Sequence, residues 1–122
     1  MTDYSIVVPV YNSCQSLKEL YQRIEQTMNG LDKSFEVIFV DDDSKDESWE
    51  ELKLLHHSNP DHILAIQLAR NFGQHNATIC GIAQASGKYI ITMDDDLQNP
   101  PEEISKLISQ MERRNDEIIY GI

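Results

Sequence analysis

The stretch Val37-Ile38-Phe39-Val40-Asp41-Asp42-Asp43-Ser44 decides how the chain is read. Four apolar residues in a row, three of them β-branched about a phenylalanine, suit a strand covered on both faces. The run stops abruptly at three carboxylates and a serine, so the strand ends at solvent. A second copy of the pattern follows about fifty residues later: Tyr89-Ile90-Ile91-Thr92-Met93 runs into Asp94-Asp95-Asp96.

Working outward, residues 5–10 form another short apolar run that ends at Pro9, Tyr11 and Asn12. Residues 35–40, 63–68, 88–93 and 117–120 supply the remaining strands. Between them Leu17, Leu20, Tyr21, Ile24 and Met28 recur at helical spacing, as do Trp49, Leu52 and Leu55. Residues 74–85 and a stripe of Ile104, Leu107, Ile108 and Met111 complete four helices. Ser16 with Glu19, and Ser44 with Glu47, have capping-box spacing. Gly30 is expected to end the first helix and Gly87 to end the third in a left-handed conformation. Pro100 and Pro101 suit the start of the fourth, with Glu102 and Glu103 at its positive end.

Strands alternating with helices predict an α/β, Rossmann-like domain with a largely parallel sheet and flanking helices. Ligands of such sheets bind outside the carboxyl ends of the strands. The loop at Pro9–Asn12 and both acidic triplets fall on that one edge.

Composition narrows the function. The 122 residues hold 21 acidic and 10 basic side chains, a net charge of −11 that repels a nucleic-acid backbone. No apolar run approaches the roughly 18 residues of a membrane span, and no basic stretch followed by an apolar core opens the chain, so a cytoplasmic protein is expected. Cys14 and Cys80 lack metal-ligand spacing and are read as unpaired thiols.

In extended geometry Asp94 and Asp96 point one way and Asp95 the other. Paired carboxylates at a strand end suit Mg²⁺ or Mn²⁺, which complete their shells with water and phosphate, and Gln98 offers one more oxygen. An acidic loop before a helix is the plainer alternative. One carboxylate of the first triplet is suited to accept a hydrogen bond from a nucleotide base, on which Tyr11 could stack. Arg70 fits two roles, pairing with a phosphate or standing on the surface.

The segments Ile6-Val7-Val8-Pro9-Val10-Tyr11-Asn12, Val37 to Ser44 and Asp94-Asp95-Asp96, in that order, resemble the family 2 glycosyltransferases of GT-A fold over the whole chain. Arg70-Asn71-Phe72-Gly73-Gln74-His75 and Asp96-Leu97-Gln98-Asn99-Pro100-Pro101-Glu102-Glu103 are similar to the branch that uses polyprenyl-phosphate acceptors. The resemblance implies that residues 1–122 are the nucleotide-sugar-binding part of an inverting transferase. Such a part would end before the enzyme is complete, inactive by itself, with the full protein associated with a membrane. It implies UDP or GDP as carrier and a lipid phosphate as acceptor, with a saccharide hydroxyl as the alternative. Pro9, Tyr11 and Asp42 would contact the base, Asp94 or Asp95 the ribose or sugar, and Asp96 with Gln98 a divalent metal, Mn²⁺ or Mg²⁺. No catalytic base is identified. Ser13 stands where the family usually has Glu, and Asp43 where it usually has Gly. A phosphoacceptor receiver domain shares the acidic strand ends, but a whole strand and helix precede the first cluster and too little chain follows Asp94.

Overall fold

The computed structural model describes residues 2–97, 100–114 and 119–121. Strands β1 (Tyr4–Val10), β2 (Phe35–Asp41), β3 (Ile63–Gln67), β4 (Tyr89–Thr92) and β5 (Ile119–Gly121) alternate with helices α1 (Leu17–Gly30), α2 (Ser48–Ser58), α3 (Gln74–Ala83) and α4 (Ile104–Arg114). A 3-10 turn, Pro101–Glu103, leads into α4. Of the expected fifth strand, residues 117 and 118 lie outside the described residues.

All strand pairs are parallel, in the order β3-β2-β1-β4-β5. The chain therefore winds outward from β1 to β3, then returns to the far side of β1. The order reverses between β1 and β4, which is where the carboxyl edge of an open α/β sheet leaves room for a ligand.

Burial follows from this placement. All seven residues of β1 are buried because the strand is central and covered on both faces. Ile6, Val8, Val37, Phe39 and Ile91 join Leu17, Leu20, Ile24, Met28, Ile104 and Ile108 in the larger core, under α1, α2 and α4. Val7, Ile38 and Val40 point the other way, to Ala77 of α3. The helical stripes read from the sequence are thus the buried faces, while the expected termini are corrected in three places.

Neither capping box forms. The Ser16 hydroxyl lies 2.6 Å from the Asp95 carbonyl, to which it donates, and 3.1 Å from that of Ser13, and makes no cap bond. Helix α2 opens at Ser48, four residues after Ser44, and there Asp46 Oδ1 accepts the Ser48 N–H at 2.8 Å. Glu102 turns to α1, where Arg23 grips it through Nε and Nη2 at 3.1 and 2.5 Å. Helix α1 does end at Gly30, but the left-handed residue is Asp32, with φ 56°.

Gly87 has a different purpose from the one its position suggests. Helix α3 ends earlier, at Ala83, and Gly87 donates its N–H to Ser5 Oγ at 2.7 Å. A Cβ there would lie 2.6 Å from Ser5 N and 2.7 Å from Tyr4 C, so the chain passes against the β1 backbone only because the side chain is missing. Glu36 fastens the same corner, accepting from the Ser86 N–H and hydroxyl and from the Ser5 hydroxyl. Gly81 brings α3 close to the sheet, since a Cβ there would meet Val7 Cγ1 at 2.5 Å.

Substitution of Gly81 by Ala is therefore expected to destabilise the protein by about 1–3 kcal/mol, although Ala is the better helix former by about 1 kcal/mol. Gly87→Ala is expected to cost more, because its neighbours are backbone atoms that cannot rotate away. Urea titration of both variants checks the sign and the order.

Candidate active site

The carboxyl edge at the reversal point holds a cleft of about 330 Å³, lined by Pro9, Val10, Tyr11, Asp42, Asn71, Gly73, Gln74 and Asp95. That volume is at the small end for a ligand pocket. Its shape is set by how the loops that end β1, β2, β3 and β4 are tied together.

The first tie joins the β1–α1 and β2–α2 loops. Asn12 N–H donates to Ser44 Oγ at 2.9 Å, Ser13 N–H to Ser48 Oγ at 2.9 Å, and Cys14 N–H to Asp46 Oδ2 at 3.3 Å. Asn12 Oδ1 returns the connection by accepting the Lys45 N–H at 2.7 Å. Asn12 and Asp43 take left-handed backbone, φ 52° and 59°, a conformation Asn and Asp tolerate better than most residues.

A second tie comes from Asp42, only 3% exposed. Its Oδ1 accepts the Phe72 N–H at 2.8 Å and its Oδ2 the Gly73 N–H at 3.0 Å. Asn71 Oδ1 also accepts from Gly73, at 3.1 Å, and Asn76 Nδ2 closes onto the Phe72 carbonyl at 2.8 Å. Gly73, at φ 94°, then starts α3 at the cleft rim. The Arg70-to-His75 segment is thus a turn laced to itself and to the first acidic triplet.

The acidic residues divide by strand alternation. Asp41 points into the larger core side and is buried, its Oδ1 without a hydrogen-bond partner. Burial, opposed by bonds from Ser44, holds its carboxyl above the usual range. Burial also pushes on Asp46, but the Ser48 and Cys14 hydrogen bonds outweigh it and hold that carboxyl below the usual range. In the second triplet Asp94 accepts from Gln74 Nε2 at 2.8 Å, beside a small space of about 50 Å³ lined also by Pro9, Thr78, Thr92 and Met93. Asp95 turns to the opposite side, where its Oδ2 accepts the Tyr11 N–H at 3.0 Å and the Ser13 hydroxyl at 2.5 Å. Asp96 is exposed beyond them.

Of the residues singled out in the sequence, Pro9, Tyr11, Asp42 and Asp95 share the cleft wall, and Asp94 stands next to it. Tyr11 is 45% exposed, at the rim of the cleft. Arg70 is not in the wall; it is exposed, with its guanidinium 4.8 Å over the Phe72 ring. Gln98 lies outside the described residues. Asn71, Gly73 and Gln74 were visible in the sequence only as part of a motif, and it is the turn they build that puts them in the wall.

The family model described as "Glycosyl transferase family 2" matches residues 5–122. The chain belongs to that family. Curated relatives of this family 2 chain include undecaprenyl-phosphate 4-deoxy-4-formamido-L-arabinose transferases from Pseudomonas fluorescens, 47% identical over 88% of the chain, and from Proteus mirabilis, 44% identical over 92%. The chain spans only 32% and 34% of those two proteins, about a third of their length. Among solved structures, a Pyrobaculum calidifontis mannosyltransferase in complex with GDP-Man and Mn²⁺ superposes with a TM-score of 0.76 at 21% identity, covering 88% of this chain and 32% of that one. S. aureus TarS residues 1–349 in complex with UDP-GlcNAc gives 0.69 at 22%, covering 93% and 32%. These likenesses establish the α/β, Rossmann-like architecture of GT-A glycosyltransferases for the family 2 chain.

Two outcomes follow from the ties. Asp42→Ala leaves the Phe72 amide without its acceptor and Gly73 with Asn71 Oδ1 alone, and is expected to cost about 1–3 kcal/mol; faster amide exchange at Phe72 and Gly73 would locate the damage. Asp41 binds its proton more readily folded than unfolded, so its contribution to stability falls as pH rises above the ordinary aspartate value of 3.8. Asp41→Asn is therefore expected to melt a few degrees higher than wild type at pH 7, with the gap closing below pH 3.8 in thermal scans.

Proposed function

We propose that residues 1–122 form the nucleotide-sugar-binding part of a GT-A glycosyltransferase that passes a sugar from a nucleoside diphosphate to a polyprenyl phosphate. The observation that carries this reading is the cleft itself. It sits at the β1/β4 reversal point, with an exposed aromatic ring at its rim, two carboxylates in its wall, and no Lys or Arg among its described lining residues. The names of the curated relatives and the nucleotide sugars held by the structural neighbours support it.

Tyr11 stacks on the base in this reading, with Pro9 beneath it. Asp42 keeps lone pairs beyond the two it gives to Phe72 and Gly73, and one of these accepts a base N–H. Asp94, oriented by Gln74, accepts from a ribose or sugar hydroxyl. A diphosphate anion in so acidic a setting calls for a cation. Among the described residues no three His, Cys, Asp or Glu side chains converge on one point. Mg²⁺ and Mn²⁺ need no such cage, because one or two carboxylates with phosphate and water suffice. Asp96, with Gln98, would hold the ion. When bound, it supplies charge neutralisation to the departing nucleoside diphosphate.

The acceptor follows from acid–base chemistry. A phosphate monoester is anionic at neutral pH, so its oxygen attacks the anomeric carbon without a protein base. The new carbon–oxygen bond forms opposite the one that breaks, and configuration inverts. A saccharide hydroxyl would need a carboxylate to take its proton. A lipid phosphate places the reaction at a membrane surface, which we take to be the cytoplasmic face. No described helix is itself long and apolar enough to cross a membrane.

Calorimetric titration with UDP and GDP, with and without Mn²⁺, tests the reading. Binding is expected to require Mn²⁺ and to weaken at least about tenfold in Asp96→Ala, the scale of one lost charged contact. Binding that ignores both the metal and the substitution would overturn the metal assignment. The better carrier identifies the donor class.

A further inference from the structure

We infer that Asp95 is a positioning residue: it latches the β1–α1 loop to the end of β4 and so sets where Tyr11 stands on the cleft rim. The inference deepens the nucleotide-binding reading and rests on it for the role of Tyr11.

Three donors of one loop converge on this single residue. Tyr11 N–H and the Ser13 hydroxyl reach Oδ2 at 3.0 and 2.5 Å, and the Ser16 hydroxyl reaches the Asp95 carbonyl at 2.6 Å. A hydroxyl has one proton to give. Ser13 also lies 3.1 Å from the Tyr11 carbonyl, but the contact to Asp95, at 2.5 Å, is the shorter and takes the proton.

The latch acts on Tyr11 through the backbone. Its own N–H is held by Asp95 and the next N–H, of Asn12, by Ser44 Oγ at 2.9 Å. Both peptide planes flanking the Tyr11 Cα are thereby fixed, and each is rigid. Only the two side-chain torsions remain to place the ring. β1 and β4 are neighbours in the sheet, so the connection crosses the very gap at which the cleft opens. An oxygen carrying two such donors is committed to the loop. What the site requires of residue 95 is therefore an acceptor of this shape, and the negative charge is secondary.

That distinction can be measured. Asparagine offers an oxygen in the same place without the charge, whereas alanine offers neither. Amide exchange at Tyr11 in the ligand-free chain and titration with UDP or GDP plus Mn²⁺ are read for wild type, Asp95→Asn, Asp95→Ala, Ser13→Ala and the Ser13→Ala/Asp95→Ala pair. Asp95→Ala is expected to speed Tyr11 exchange and to weaken nucleotide binding about tenfold, the size of one lost hydrogen bond. Ser13→Ala should move both readouts the same way, and the pair should fall well short of the product of the single effects. Asp95→Asn should stay within about twofold of wild type on both. Nucleotide binding weakened by Asp95→Asn as much as by Asp95→Ala would overturn the proposal, since the charge would then be what matters. Should wild type bind neither nucleotide, the functional reading fails by itself. The exchange rates still decide the latch, which is refuted if Tyr11 exchanges alike in wild type, Asp95→Ala and Ser13→Ala.

Discussion

When β1 leaves the sheet, its backbone loses the ladder that satisfied it, and four successive N–H groups, Tyr11 to Cys14, need acceptors. Each finds one on a side chain from another connection or the start of α2: Asp95, Ser44, Ser48 and Asp46 in turn. Four bonds from one short loop to three other segments tie the carboxyl edge together, and the Ser13 amide, the part-buried one, is the costliest to leave unpaired. Moving any of the acceptor segments would break one of these ties. With the β3–α3 turn that Asp42 holds, the cleft is a joint product of four connections.

Seen from this constraint, the acidic triplets are less uniform than their charges suggest. Strand alternation sends Asp41 into the core and Asp42 to the α3 side, where its carboxylate holds two amides of the Phe72–Gly73 turn. In the second triplet Asp94 meets Gln74 and Asp95 meets the β1–α1 loop. Much of the carboxylate chemistry at this edge is thus structural. The negative charge it leaves at the edge repels anions and attracts cations. Fixed loops also suit binding, since ordering that is already complete in the free protein need not be repeated when a ligand arrives.

The glycines illustrate how local and tertiary reasons diverge. Gly73 is required by its backbone angle, and a residue with a side chain would strain the turn that starts α3. Gly81 and Gly87 have ordinary angles and are required by neighbours that are remote in sequence. Gly87 in particular occupies a helix-stop position in the sequence, yet it answers to Ser5, 82 residues away.

Periodicity alone determined the strands, the helices and which face of each is buried, because burying apolar surface rewards a pattern with periods of two and 3.6 whatever the partner. It also put the Pro9–Asn12 loop and both acidic triplets on one sheet edge; the resemblance to the family singled out Pro9, Tyr11, Asp42 and Asp95 there, and the fold gathers those four in one cleft wall. Tertiary structure decided what each polar group in that wall does. Ser16 and Ser44 carry hydroxyls at capping-box spacing, but their partners are Asp95 and Asn12, brought close by the adjacency of strands rather than of residues. Arg70 was free in the sequence to face a phosphate, and the turn instead lays it on Phe72. The reason is common to all of them. A hydroxyl, a carboxylate or a guanidinium has several acceptable partners, and only the folded chain determines which of them is within 3 Å.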